Sequence, residues 1–141
     1  MARYEDFHVA RLRVGDPADE WTANAAGASF TIGSESSNTI NVSVQLTDAL
    51  GDNLERANAV MAYLSSDASG QVIEAADTAL SVALGTNGVF SELAADNTFM
   101  LVTEATGVVD IDITDTRVNT VYLNVILPSG KIVTSGAITF A

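Results

Sequence analysis

The chain has 141 residues, with 6 Lys or Arg against 18 Asp or Glu, a formal net charge of −12, and 48% hydrophobic against 17% charged positions. That length supports one sizeable core rather than two, and the acidic balance lacks the clustered cations from which affinity for a phosphate backbone comes, so no nucleic-acid partner is expected. The absence of Cys excludes disulfides, zinc–thiolate clusters, iron–sulfur centres and thiol nucleophiles.

Residues 1–37 differ from the rest of the chain. They hold Tyr4, Phe7, Trp21 and Phe30 together with Arg3, Arg11 and Arg13, and show no core periodicity beyond residues 7–14. Residues 1–14 carry three Arg against Glu5 and Asp6, a net of +1, which leaves −13 for the remainder. Aromatics and arginines are enriched at interface cores, so one reading makes this segment an attachment or oligomerisation arm whose contact residues are Arg3, Tyr4, Phe7, Arg11, Arg13, Trp21 and Phe30. The other has residues 7–14 add an edge strand to the chain's own sheet. The segment Ser34-Glu35-Ser36-Ser37 reads as the linker.

From residue 38 onward short alternating runs are separated by turn signals, the pattern of an all-β sandwich or barrel. In residues 39–48, Ile40, Val42, Val44 and Leu46 share one face, and Asn41, Ser43, Gln45 and Thr47 share the other. Gly51 and Asp52 mark the turn that follows, residues 60–65 form a second strand, and 66–70 a polar loop. Residues 71–78 fit either a short strand or a helical turn. Residues 80–84 and 89–93 flank Gly85-Thr86-Asn87-Gly88, and this spacing predicts a hairpin. Residues 99–103 form a further strand. In 108–114, Val109, Ile111 and Ile113 alternate with Asp110, Asp112 and Thr114, and in 120–127 Val121, Leu123, Val125 and Leu127 share a face. Pro128-Ser129-Gly130-Lys131 turns the chain into one last strand, 132–140. Val42, Val44, Leu46, Ile111, Ile113, Leu123, Val125 and Ile138 are the expected inward residues.

Seven or eight strands over residues 38–141 predict an all-β, immunoglobulin-like antiparallel β-sandwich with an extended N-terminal arm, so the expected domains are 1–37 (arm) and 38–141 (sandwich). The antibody markers are missing: there is no Cys pair, and Trp21 lies outside the block. Tyr122 is a candidate tyrosine corner beside the alternative of plain packing.

Few residues suggest chemistry. Asp110, Asp112 and Asp115 bring oxygens together as a calcium site would, yet lack a Gly-bearing ligand loop, and a solvated strand face is the expectation. Asp48, Asp52, Asn53 and Glu55 match no calcium-loop spacing, so no metal and no cofactor is expected. Asn41-Val42-Ser43 fits a glycosylation acceptor but sits within a strand. No G-x-S-x-G, P-loop or G-x-G-x-x-G occurs, and His8, the one histidine, has no evident catalytic partner, so an enzyme is not expected. No apolar run reaches the ~20 residues that cross a bilayer, and the opening MARYEDFHV has neither the basic start nor the apolar stretch of a secretory signal.

The run Asn41-Val42-Ser43-Val44-Gln45-Leu46-Thr47-Asp48, then Ala62-Tyr63-Leu64-Ser65-Ser66-Asp67-Ala68, then the ending Tyr122-Leu123-Asn124-Val125-Ile126-Leu127-Pro128-Ser129-Gly130-Lys131 into Ser135-Gly136-Ala137-Ile138-Thr139-Phe140-Ala141, resembles an immunoglobulin-like domain of tailed-bacteriophage virion structural proteins. The resemblance covers the last hundred or so residues and leaves the arm aside. It implies a capsid (head) decoration or head-fibre protein on the particle surface, made in the host cytoplasm. The implied partners are the phage major capsid protein or other virion proteins, in a homo-oligomer for which a trimer is the expectation. The alternative is a tail-associated or host-surface or glycan-binding module. The resemblance supplies no catalytic residue.

Overall fold

The computed structural model of the protein describes residues 24–141. Ten strands occur among these residues in chain order: β1 (Gly27–Ile32), β2 (Thr39–Thr47), β3 (Ala59–Ser65), β4 (Leu80–Leu84), β5 (Val89–Ala94), β6 (Thr98–Val102), β7 (Val108–Asp115), β8 (Asn119–Ile126), β9 (Ile132–Thr134) and β10 (Ile138–Phe140). The described residues contain no helix. The first sheet has the order β1-β2-β7-β4. The second runs β10-β8-β3-β6-β5, with β9 also paired to β8. Every pairing is antiparallel.

The period-2 pattern determines the core. Ile40, Val42, Val44 and Leu46 of β2 and Val109, Ile111 and Ile113 of β7 are buried from one side. Val60, Ala62 and Leu64 of β3, Phe99 and Leu101 of β6, and Val121, Leu123 and Val125 of β8 are buried from the other. All belong to one apolar cluster, in which each large aliphatic contributes roughly 1.5–3 kcal/mol. The eight residues expected to point inward are all fully buried. Phe90 and Phe99 pack with ring centroids 5.2 Å apart and planes tilted by 38°, and close the β5–β6 side.

Three expectations change. The strand β1 lies inside the segment expected as arm: Phe30 pairs with Val44 and packs against the core, so residues 27–32 belong to the sandwich. The cause is the alternation of Ala28, Phe30 and Ile32, half-buried, with Ser29 and Thr31, exposed. Arg3, Tyr4, Phe7, Arg11, Arg13 and Trp21, with residues 7–14 and His8, lie outside the described residues.

Strands β4 and β5 do not form the expected hairpin. β4 pairs with β7 in the first sheet and β5 with β6 in the second, so residues 85–88 carry the chain between sheets. Gly88, at φ 91°, lies against Val109 and the Val102 carbonyl, where a Cβ has no room. The hairpin is instead β5–β6, turning through Asp96 at φ 61° with a bulge between Glu92 and Ala94.

The last strand is two. Thr134 pairs with Asn124 but Ile138 with Val121, so the returning chain uses one more residue than β8 does. At the break Leu123 N donates to Ser135 Oγ at 2.9 Å, the hydroxyl standing where a carbonyl would accept in a regular ladder.

Candidate functional site

Among the described residues four groups of polar side chains and one apolar face stand out. The first group surrounds Asp110. On β7 it lies opposite Ser43 of β2, on the outer face of the first sheet, yet the β4–β5 crossover covers it and leaves it only 5% exposed. Its carboxylate accepts from Asn41 Nδ2 (2.8 Å), Thr86 N (2.9 Å), Asn87 N (2.7 Å) and Asn87 Nδ2 (2.8 Å). Burial pushes the carboxyl's pKa up, but the hydrogen bonds from Asn41, Thr86 and Asn87 outweigh it and hold the group below the ordinary value. Asn41 Nδ2 also donates to Asp112 Oδ1 at 2.7 Å.

The second group ties the β3–β4 connection to the β7–β8 turn. Asp115 is fully buried and receives Arg117 Nε (2.9 Å) and Nη2 (2.7 Å) side by side, with Arg117 N (2.9 Å) and Asn119 Nδ2 (3.0 Å). Arg117 also reaches Asp77 at 3.2 Å and Glu74 at 3.4 Å. Burial raises the Asp115 pKa, and the bonds from Arg117 and Asn119 bring it below the ordinary value. The bonded Asp115 carboxylate raises that of Arg117. Asp110, Asp112 and Asp115, expected as one solvated face, are therefore divided: Asp110 and Asp115 are buried and serve different loops, while Asp112 stays half-exposed. The guanidinium supplies the positive charge that Glu74, Asp77 and Asp115 share. No group of three or more His, Cys, Asp or Glu among the described residues is arranged to hold a metal ion.

The third group lies on the outer side of the second sheet, under residues 66–73. Tyr63 donates its hydroxyl to Gly70 O at 2.5 Å, the kind of side-chain-to-backbone bond that the sequence suggested for Tyr122. Asn124, fully buried, donates to Ser65 Oγ (2.8 Å) and accepts from Thr134 Oγ1 (2.6 Å). Gly70, at φ 71°, sits directly on Asn124, where a side chain would collide. Asp67 organises the loop above by accepting from Ser69, Gln71 and Val72, led by the short bond from Ser69 Oγ, and its pKa falls to about 2. Residues 71–78 contain no helix and, in place of a strand, a single antiparallel bridge of Ile73 to Ser65, closed by Ser66 N to Val72 O and Glu74 N to Leu64 O; Asn97 Nδ2 also donates to Glu74 O.

Asp48, expected in a solvated turn, is largely buried and accepts from Leu50 N (2.8 Å) and Asp52 N (3.0 Å) within its own loop. Asp52, Asn53, Glu55 and Arg56 surround an open polar hollow beside it. Every buried side-chain polar atom among the described residues has a hydrogen-bond partner. The hydrogen bonds of these groups hold the sandwich's own loops.

Beyond the 66–73 loop the outer face of the second sheet is open and apolar. By register, Ile132, Ile126, Met61 and Met100 form one row across β9, β8, β3 and β6, and Val102 and Val89 flank it. Met61, Ile132 and Val89 are exposed, and no charged side chain lies in that row. The Arg117 network and this row escaped the sequence reading. An arginine two residues after a strand-end Asp, in a chain this poor in cations, was the available signal for the first, and the M-A-Y alternation of β3 for the second.

No family model matches the chain, and no curated protein or solved structure matches it either. No helix among the described residues is long and apolar enough to cross a membrane.

Proposed function

We propose that this protein is a virion structural protein of a tailed bacteriophage, a capsid decoration or head-fibre protein whose immunoglobulin-like domain faces outward and whose N-terminal residues attach it. The observation that carries the fold side of this reading is strand order. The succession β1-β2-β7-β4 corresponds to strands A-B-E-D of an immunoglobulin domain, and β9/β10-β8-β3 to G-F-C, with the β5–β6 hairpin added beside β3. The role side rests on the sequence resemblance and on the polar chemistry. The carboxylates of Asp110, Asp115, Asp67 and Asp48 are spent on the sandwich's own loops, as suits a stable module presented on a particle. With β1 counted in the sandwich, the attaching segment is residues 1–23, which hold Arg3, Tyr4, Phe7, Arg11, Arg13 and Trp21. The partner is the major capsid protein or another virion protein.

The test uses particles of the encoding phage stripped of this protein. The full chain is expected to decorate them, and a cooperatively melting fragment 24–141 is expected not to. Equal decoration by the fragment overturns attachment through residues 1–23. A full chain that ignores particles but binds host cells or glycans transfers the protein to the tail-associated, receptor-binding class.

A further inference from the structure

We propose that β1 is an acceptor edge, and that residues 7–14 of a neighbouring copy of this chain add to it as a further strand. The proposal rests on the N-terminal segment being an attachment and oligomerisation element, and names where it goes. A sheet edge carries a row of unpaired backbone N–H and C=O groups, and natural sheets blunt such edges with charge, bulges or brevity. Two of the four edges among the described residues are blunted: β5 carries Glu92 and a bulge, and β9 and β10 are three residues each and split at Ser135, while β4 is uncharged but one residue shorter than β1. β1 is six residues, Gly-Ala-Ser-Phe-Thr-Ile, with no charge, no proline and no bulge in its pairing with β2.

Its register identifies which groups find no partner strand among the described residues. Gly33 N donates to Asn41 O at 2.8 Å, so the alternation of an antiparallel ladder puts Thr31, Ser29 and Gly27 in bonded pairs with β2. Ala28, Phe30 and Ile32 then direct their N–H and C=O groups away from the sheet.

The occupant follows from the chain upstream. Residues 1–14 carry +1 with Arg3, Arg11 and Arg13, whereas residues 24–141 carry 3 basic against 13 acidic side chains, so the body attracts this segment. Alternation puts Phe7 and Val9 on one face of such a strand and Leu12 and Val14 on the other, so either register offers a pair of apolar side chains to the face that holds Phe30. Residues 15–26 separate the donor from β1. A β-hairpin commonly turns in about two to five residues, so this connection is long for a return onto the same edge, and fully extended it reaches roughly 40 Å, enough to cross to a neighbour. Donation from each copy to the next is head-to-tail, an arrangement that makes a ring when its rotation closes, at 120° for a trimer, and an open filament when it does not.

The test is amide hydrogen exchange on the isolated full-length protein at high and low concentration, beside sedimentation. At high concentration the amides of Ala28, Phe30 and Ile32 are expected to exchange more slowly than in monomer by about tenfold or more, and the protection to vanish on dilution as oligomers dissociate. Val9→Pro and Leu12→Pro, outside the sandwich, are expected to abolish both protection and oligomer while leaving the sandwich's cooperative melt in place. Fast exchange at every concentration overturns the proposal. So does protection that survives dilution, which assigns the strand to the same chain, and so does protection that survives both proline variants, which assigns it to another copy's β1. Particles are absent from this experiment, so its failure leaves capsid docking standing, and failed decoration leaves strand exchange standing.

Discussion

On the outer face of the first sheet, Thr39 bonds Thr114 at 2.7 Å and Asn41 bonds Asp112 at 2.7 Å and Asp110 at 2.8 Å. On the outer face of the second, the central row is Met61, Met100, Ile126 and Ile132, with no charge among them. Both faces belong to strands of the same period and lie over the same core. The difference is that the first spends its polar groups on holding a crossover in place, whereas the second confines them to Tyr63, Ser65, Asn124 and Thr134 beneath one loop and leaves the rest apolar. One face is therefore fixed by its own hydrogen bonds, and on the other the apolar row, apart from the polar end, contributes little to the stability of the isolated sandwich.

The comparison breaks most severely at Asp115. Removing it in Asp115→Ala leaves Arg117 and Asn119 without their main acceptor. The expected loss is about 2–4 kcal/mol by urea unfolding, below the ~3–5 of a fully buried pair because the Arg117 side chain is 34% exposed to solvent. A loss near zero would show that Glu74 and Asp77 suffice for Arg117.

Asp110→Asn keeps the shape but withdraws the charge from four donors. About 1.5–3 kcal/mol should go, with faster amide exchange at Thr86 and Asn87 as the crossover loosens. The same carboxylates set the acid response. Asp110 and Asp115 both have folded-state pKa values below the ordinary 3.8, so their contribution is fully present above that value and is lost as pH falls through the folded values. Stability measured from pH 5 downward should decline from about pH 4, and less steeply in Asp110→Asn.

On the second sheet the polar end is expected to matter more than the apolar row. Asn124→Ala takes the acceptor from the Thr134 hydroxyl and a donor from Ser65, whose hydroxyl still donates to Asp67 O, and should cost about 1–3 kcal/mol. The smallest effect belongs to Met61→Lys: Met61 is 40% exposed, and its change should stay within about 0.5 kcal/mol in urea unfolding. A larger loss would mean that the row is packed against something in the isolated protein.

Much of this was legible from alternation. The inward residues of β2, β7 and β8 follow from the period alone, because a strand with one face on a core writes its burial into every second position. Phe30 was legible in the same way, through Ala28, Phe30 and Ile32, but the aromatics and arginines upstream drew it into the arm. Residues 85–88 misled for a different reason: glycine and asparagine serve a crossover as readily as a hairpin, since both need positive φ and a close approach of backbone. The carboxylates were misread because a D-x-D on an outer face is solvated only if no loop returns over it, and the loop that covers Asp110 comes from residues 86 and 87, far away along the chain.

The sequence by itself determined that the described chain is all-β, where most strands fall, and which side of each is apolar, because these depend on residues two apart. Only the tertiary structure decided which sheet β4 and β5 join, that β1 belongs to the sandwich, and that Asp110 and Asp115 hold separate loops. Those outcomes depend on which distant strand completes a ladder and which distant donor reaches a buried carboxylate, and that choice minimises burial cost over the whole molecule rather than within any local stretch.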